Sequence, residues 1–451
     1  MKTMKEILAA VLAVMMIFAA CGTAMAEQEA RKMETPADAD EFIAVFLGEH
    51  PEVLEGAWVL SAQMEAAIAQ LGGIGSMAKQ LAALGTAEKI DPAYEGEIQG
   101  RKAFFIPCAF SVMPVDIILV VEDGAIAGLS TGQYSGKKEE KSETPEAYDS
   151  IELALPVPSL GELPGTLTVP KGEGPFPAVI LLQGSGASDR DEAIGSLKPF
   201  RDIAEGLAEQ GVAVYRFDKR SYVYGTELAA NKQITLADEY LEDAVNAVQL
   251  VAAQEKIDQE RIFVLGHSLG GNAIPAVARE LKKAQPNARG FIMMAASPRP
   301  LDVLVREQYD FLYSLMPEIT EEEQAEKDMA FAELDKLQDM EALTDDDTVM
   351  GVYASYWKWL ADYDILQAAD EIEQPVLLLQ GEEDYQVTMA DFEMWKNAVG
   401  EKENWQLKSY PGLTHLFMEG KKAEGSAAYL GEKKTDARVI LDIAEFVNGI
   451  K

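Results

Sequence analysis

The chain predicts an α/β protein with a doubly wound, mostly parallel sheet carrying a helical insertion, preceded by a small α+β domain. Three observations lead there. Over the last two thirds of the 451 residues, short apolar strands alternate with amphipathic helices, the pattern of a parallel sheet covered on both faces. One interval between consecutive strands is instead helical and rich in charge. The first third runs helices first and a meander of extended segments after them.

The amphipathic stretches 38–48 and 57–84 predict helices, and 104–111, 115–122 and 125–130 predict neighbouring strands, the last two joined by a tight turn at Glu122-Asp123-Gly124. Together they form a small domain over 36–132. Residues 133–150, centred on GKKEEKSETPEAY, have no apolar face and predict a linker. From 151 to 451, strands are expected at 165–169, 178–183, 212–217, 262–265, 291–295, 376–380 and 405–410, with the first ones forming an antiparallel edge. Helices are expected at 199–210, 236–253, 269–283, 390–399 and 435–447. The interval 298–370 holds the amphipathic run EEEQAEKDMAFAELDKLQDMEAL and an aromatic one, YASYWKWLADY, and predicts a helical cap. Of its aromatics, Tyr353 and Trp357 are candidates for lining a substrate entrance; the alternative is a helix packed on the core.

Composition narrows the partners. A content of 48% hydrophobic residues supports substantial cores, and a net charge of -37 from 39 basic and 76 acidic residues argues against nucleic acid and anionic lipid as partners. The two cysteines, Cys21 and Cys108, cannot build a disulfide framework or a cysteine metal site. At the amino terminus, Lys2 and Lys5 precede an apolar run and Ala24-Met25-Ala26 offers a small-residue cleavage site, so residues 1–26 predict a secretory signal peptide. The apolar run is shorter than the roughly 20 residues of a membrane span, which argues against membrane insertion. Phe18-Ala19-Ala20-Cys21 resembles a bacterial lipoprotein box, with a lipid anchor at Cys21 as the second reading. Both place the mature protein outside the cytoplasm, secreted or anchored to the cell surface.

The chemistry concentrates around GHSLGG at 266–271. Ser268 stands at a strand-to-helix corner between Gly266 and Gly270, whose missing side chains let the backbone turn sharply, as in a nucleophile elbow; a capping serine at a glycine-rich helix start is the rival. A serine hydroxyl needs a base and an orienting acid to act at neutral pH. Of the three histidines, His50 lies in the small domain and His267 adjoins the serine on a turn too tight to face it. His415, in the loop after the last strand, is left as the base. The turn Gly381-Glu382-Glu383-Asp384 supplies the acid; Asp384 is preferred, with Glu382 and Glu383 as rivals. The glycine-rich loop LQGSGASDRD at 182–191 can aim backbone N–H groups at an oxyanion, with Ser185 N–H and Leu269 N–H as the donors and an Asp189–Arg190 ion pair pinning the loop. A phosphate loop is the rival for these glycines, but no G-K-S/T follows.

The order Ser268, Asp384, His415 is that of α/β-hydrolases. Residues 151–451 resemble an α/β-hydrolase-fold serine esterase through GHSLGG, GEEDYQV and GLTHLF. LLQGSGASDRDE and the Asp218-Lys219-Arg220 triplet resemble a bacterial secreted or lipoprotein subgroup with a small amino-terminal α+β domain, although RSYVYG departs from its glycine-rich pattern. The resemblance implies hydrolysis of small ester substrates through an acyl-enzyme, short acyl chains being favoured, with no metal or organic cofactor. A peptidase, amidase or acyltransferase on the same triad is the alternative, and a non-catalytic binding protein on a hydrolase scaffold is the alternative of another class.

Overall fold

A computed structural model describes residues 30–450 apart from 49–50, 55, 71–72, 82–86, 99–100, 111–113, 134–146, 284–287, 317 and 432. The expected signal peptide with Cys21, His50 and most of the expected linker lie outside the described residues. The chain divides into two units, one from residues up to Lys141 and one mainly from Ser142 onward.

In the first unit the helix Pro36–Phe46 opens on a capping box between Thr35 and Asp38 and buries Phe42, Ile43 and Phe46. The expected helix over 57–84 is two, Ala62–Gln70 and Ile74–Leu81, with Gly73 between them at φ +106°. They accompany an antiparallel sheet of β1 (Ala87–Ile90), β2 (Tyr94–Ile98), β3 (Arg101–Phe110), β4 (Pro114–Glu122) and β5 (Ala125–Gln133). Cys108 is buried in this unit's core, and burial pushes its thiol up to about 12, so it is protonated and inert at neutral pH.

The second unit starts earlier than expected. Its edge strand β6 (Tyr148–Glu152) begins inside the stretch assigned to the linker, and a small hairpin, β7 (Leu155–Val157) with β8 (Gly161–Leu163), follows. The main sheet continues with β9 (Gly165–Pro170), β10 (Phe176–Leu182), β11 (Ala213–Phe217), β12 (Ile257–His267) and β13 (Gly290–Met294). Beyond an insertion containing the ribbon β14 (Thr348–Val349) and β15 (Val352–Tyr353) come β16 (Val376–Gly381) and β17 (Trp405–Tyr410). The eight strands lie in the order β17-β16-β13-β12-β10-β11-β9-β6; β9 pairs antiparallel with both β6 and β11, and every other pairing is parallel. Buried on both faces, β11, β13 and β16 have every residue enclosed, which is why they read as mainly apolar runs, with Arg216 and Gln380 as the polar exceptions. Helices Leu236–Ala252 and Leu269–Leu281 pack on one face of the sheet, and Pro199–Glu209 and Ala437–Gly449 on the other.

The insertion between β13 and β16 holds the helices Leu301–Ser314, Glu321–Asp335, Ala354–Asp362 and Ile365–Asp370. Among the described side chains of Glu321–Asp335 only Leu334 is buried, so this helix is far less amphipathic in place than its pattern suggests. The insertion is tied to the helix Leu269–Leu281 by a proline. Pro275 has no N–H to give to the Gly271 carbonyl, and at the next rung the Tyr363 hydroxyl bridges the helix, accepting from Ala276 N–H at 3.0 Å and donating to the Asn272 carbonyl at 3.2 Å.

Candidate active site

All the candidate catalytic groups sit at the carboxyl ends of parallel strands. Ser268 follows β12 with φ 52° and ψ -120°, in the left-handed region that a side chain avoids. The turn is enforced by contact. A Cβ on Gly266 would stand 2.2 Å from the Gly270 carbonyl oxygen, and one on Gly270 would stand 2.4 Å from that of Leu182. Only glycine fits at either place, so the serine is pushed out of the corner as an elbow and not held as a helix cap; it makes no side-chain capping hydrogen bond.

The acid turn after β16 buries Asp384 to 2% exposure. Its Oδ1 accepts from Gln386 N–H at 2.7 Å and Val387 N–H at 3.0 Å, while Oδ2 accepts from Gln380 Nε2 at 3.2 Å and lies 2.7 Å from His415 Nδ1. The two rivals are engaged elsewhere: Glu382 accepts from the Ser409 hydroxyl at 2.9 Å and Glu383 from Lys422 N–H at 3.1 Å. Gly381 makes the approach of the two loops feasible, since a Cβ there would meet the Leu413 and Thr414 carbonyls at 2.5 Å. The structure thus brings Asp384 and His415 together from two strand ends. His415 Nδ1 is taken by the carboxylate, and among the described residues neither its Nε2 nor Ser268 Oγ has a hydrogen-bond partner.

His267 lies beneath the elbow, as its position on the turn predicts. Its Nδ1 is 3.0 Å from Glu192 Oε1, and its Nε2 is 2.9 Å from the His415 carbonyl oxygen. Burial opposes the charged imidazole, but Glu192, the His415 carbonyl and Asp384 outweigh it and raise His267 above its ordinary 6.5. Both ring nitrogens then donate, and the imidazolium ties the base loop to Glu192. A raised pKa supplies stability that is fully present below 6.5 and is lost as pH rises through the folded value. Glu192→Gln removes the carboxylate's share of that upward shift. Urea unfolding at a series of pH values is therefore expected to give a stability difference, wild type minus Glu192→Gln, that shrinks as pH rises from 6.5. A difference independent of pH removes the imidazolium.

Glu192 does a second task. The same Oε1 accepts from Gly184 N–H at 2.6 Å, so this N–H is spent inside the loop. Ser185 and Leu269 N–H have no acceptor among the described residues. Gly184 packs directly on Ser268, a Cβ there coming within 3.1 Å of Ser268 Cβ. Glu192 was not legible in the sequence: it ends a charged run typical of solvent loops, and its partners come from β12 and the loop after β10.

Two further expectations are corrected. Arg190 pairs with Asp218 at 3.0 Å and Glu152 at 2.7 Å, not with Asp189, whose Oδ1 accepts from the Asp191 and Ala193 N–H groups. Tyr353 and Trp357 serve packing. Trp357 is buried with Leu334, Leu337 and Val349 in the insertion's own core and donates to the Val349 carbonyl at 3.1 Å, while the Tyr353 hydroxyl donates to the Ala229 carbonyl at 3.0 Å. The insertion meets the acid turn through other residues: Phe311 stacks on Tyr385 at 5.3 Å, and Gln308 Nε2 donates to the Gln386 carbonyl at 3.1 Å.

Comparison with known proteins gives the following. Residues 194–421 match the family model described as serine aminopeptidase, S33. Esterase EstD of Thermotoga maritima is 34% identical over 333 residues, spanning 73% of this chain and 76% of that protein. Est1E from Butyrivibrio proteoclasticus superposes with a TM-score of 0.43 at 17% identity, over 66% of this chain and 98% of that one. The family match together with the long alignment to an esterase settles the assignment: the chain belongs to the serine aminopeptidase S33 family of α/β-hydrolases and is a serine hydrolase of the carboxylesterase type.

Proposed function

We propose that the protein hydrolyses short-chain carboxylic esters outside the cytoplasm through an acyl-enzyme on Ser268. The observation that carries the mechanism is the 2.7 Å contact of Asp384 Oδ2 with His415 Nδ1, which leaves Nε2 as the nitrogen open to the serine. His415 Nε2 takes the Ser268 proton as Oγ attacks the ester carbonyl, and the oxyanion is received by Ser185 and Leu269 N–H. The intermediate collapses, the C–O bond to the alcohol breaks, and His415 returns the proton to the departing oxygen. Water, deprotonated by His415, then attacks the acyl carbon and frees the acid and Ser268. The Asp384 carboxylate holds Nδ1 and balances the imidazolium. The location rests on the sequence of residues 1–26, and the short-chain preference on the resemblance of the loop and triad segments.

The test is stopped-flow turnover of p-nitrophenyl esters from acetate to decanoate, beside aminoacyl p-nitroanilides. A burst of one p-nitrophenol per chain, with kcat/KM highest at acetate to butyrate, is expected. The family description as an aminopeptidase favours amide cleavage as a second reading, which anilides cleaved faster than esters would establish. Absence of a burst, together with no labelling by a fluorophosphonate, removes the acyl-enzyme.

A further inference from the structure

The triplet Asp218-Lys219-Arg220 at the end of β11 takes no step in the reaction above, yet Lys219 is turned inward and only 2% exposed. Its Nζ donates to the Gly184 carbonyl at 2.6 Å, the Gly186 carbonyl at 3.2 Å and the Tyr240 hydroxyl at 2.8 Å, and lies 2.8 Å from Glu239 Oε1. The Tyr240 hydroxyl also reaches the Gly184 carbonyl, at 3.0 Å. Glu239 is held from its other side by the Tyr356 hydroxyl, which donates to Oε2 at 2.6 Å from the insertion. Removing an ammonium from water is costly, and the cell of acceptors around Lys219 offsets that cost. A methionine would fill the same space without needing any of them, so the arrangement calls for a reason beyond packing.

The reason lies in the peptide it grips. The unit joining Gly184 to Ser185 is planar and trans, so its carbonyl and its N–H point to opposite sides. Holding the carbonyl toward Lys219 turns the Ser185 N–H away from it, on a loop whose Gly184 lies against Ser268. The cation also draws electron density toward the carbonyl oxygen and makes the N–H a stronger donor. The loop needs outside support, because Gly184 and Gly186, the latter at φ +85°, leave its backbone free. We infer that Lys219 is a positioning residue of the oxyanion site: it clamps the Gly184 and Gly186 carbonyls from behind and so fixes and polarises the Ser185 N–H. This rests on the proposed acyl-enzyme reading, in which that N–H receives the oxyanion.

The experiment compares the full chain with Lys219→Met/Glu239→Gln, which removes both charges and leaves no lone buried carboxylate. kcat and KM for p-nitrophenyl acetate are measured per site titrated with a fluorophosphonate, together with the inhibition constant of an alkylboronic acid, which forms a tetrahedral adduct with serine. The expected result is a kcat about 10²-fold lower, a KM within about twofold of wild type, and boronate binding weakened by a factor similar to that in kcat. A lysine that only supported the fold would lower the melting temperature and leave kcat per site and boronate binding alone, and that outcome overturns the inference. Should the double variant not fold, Tyr240→Phe removes one acceptor of Lys219 and the hydroxyl shared between the Gln183 and Gly184 carbonyls, at 2.9 Å and 3.0 Å, and is expected to lower kcat in the same direction by a smaller factor; an unchanged kcat there overturns the inference equally. Wild type that neither binds the boronate nor turns over any ester overturns the acyl-enzyme reading beneath it.

Discussion

Ser268→Ala is expected to lower kcat for ester hydrolysis by roughly 10⁴- to 10⁶-fold, His415→Ala by a similar factor, and the pair together by little more than either alone. The non-additivity is the informative part. The serine has no nucleophilic strength without the imidazole, and the imidazole has no proton to take without the serine, so removing one forfeits the contribution of both. What survives is whatever rate the oxyanion donors and substrate binding supply to attack by water. Ser268→Ala is also expected to melt no lower than wild type, because Oγ makes no hydrogen bond among the described residues and the corner is set by Gly266 and Gly270. Steady-state kinetics on the two single variants and the double variant, with thermal melts beside them, check this. Turnover within tenfold of wild type in Ser268→Ala would end the nucleophile assignment, as would factors for the two single variants that simply multiply in the double.

The parts of the site that could be read in the sequence share a property: their geometry is set by residues next to them in the chain. Gly266 is required by contact with its neighbour Gly270 at the Ser268 corner, and the acid and base loops follow directly after recognisable strands. The parts that could not be read are fixed by distant partners. Glu192 acts through Gly184 and His267, and Arg190 passes over its neighbour Asp189 for Asp218 and Glu152, because adjacent side chains on a turn point apart. Lys219 carried one usable signal, a charged triplet at the carboxyl end of a wholly buried strand, on the side of the sheet where ligands bind. In the fold, β6 and β8 escaped for another reason. Edge strands with most side chains in solvent need little apolar sequence, and Tyr148–Glu152 encloses only its first residue while Gly161–Leu163 encloses only its last. The aromatics of the insertion misled because a run of rings looks the same whether it faces a ligand or a neighbouring helix. Trp357 and Tyr353 face the second kind of surroundings.

Asp384→Asn is expected to cost about 10⁴-fold in kcat with little change in KM. The substitution keeps the shape of the turn: the amide oxygen can still accept from Gln386 and Val387 N–H, and no charge is left unpaired in a site of 2% exposure. What changes is the Oδ2 side, where the bond from Gln380 Nε2 is lost, that amide keeping the Gly381 and Val387 carbonyls, and the face toward His415 is altered. An amide NH₂ in place of Oδ2 must donate to Nδ1, so Nδ1 becomes an acceptor and the imidazole proton moves to Nε2, the nitrogen that has to take the serine proton. The base is then present, correctly placed and in the wrong tautomer. The imidazolium that forms during attack also loses the carboxylate that balances it. Glu383→Gln and Glu382→Gln are the necessary companions, since they lie in the same turn and carry the same charge but bond to Lys422 and Ser409. Both are expected to stay within a few-fold of wild type, as exposed or half-buried turn carboxylates outside the reaction do. If Glu383→Gln falls as far as Asp384→Asn, the loss comes from the negative charge of the turn as a whole. The single hydrogen bond that His415 Nδ1–H donates to Asp384 would then no longer be the feature that makes this imidazole a base.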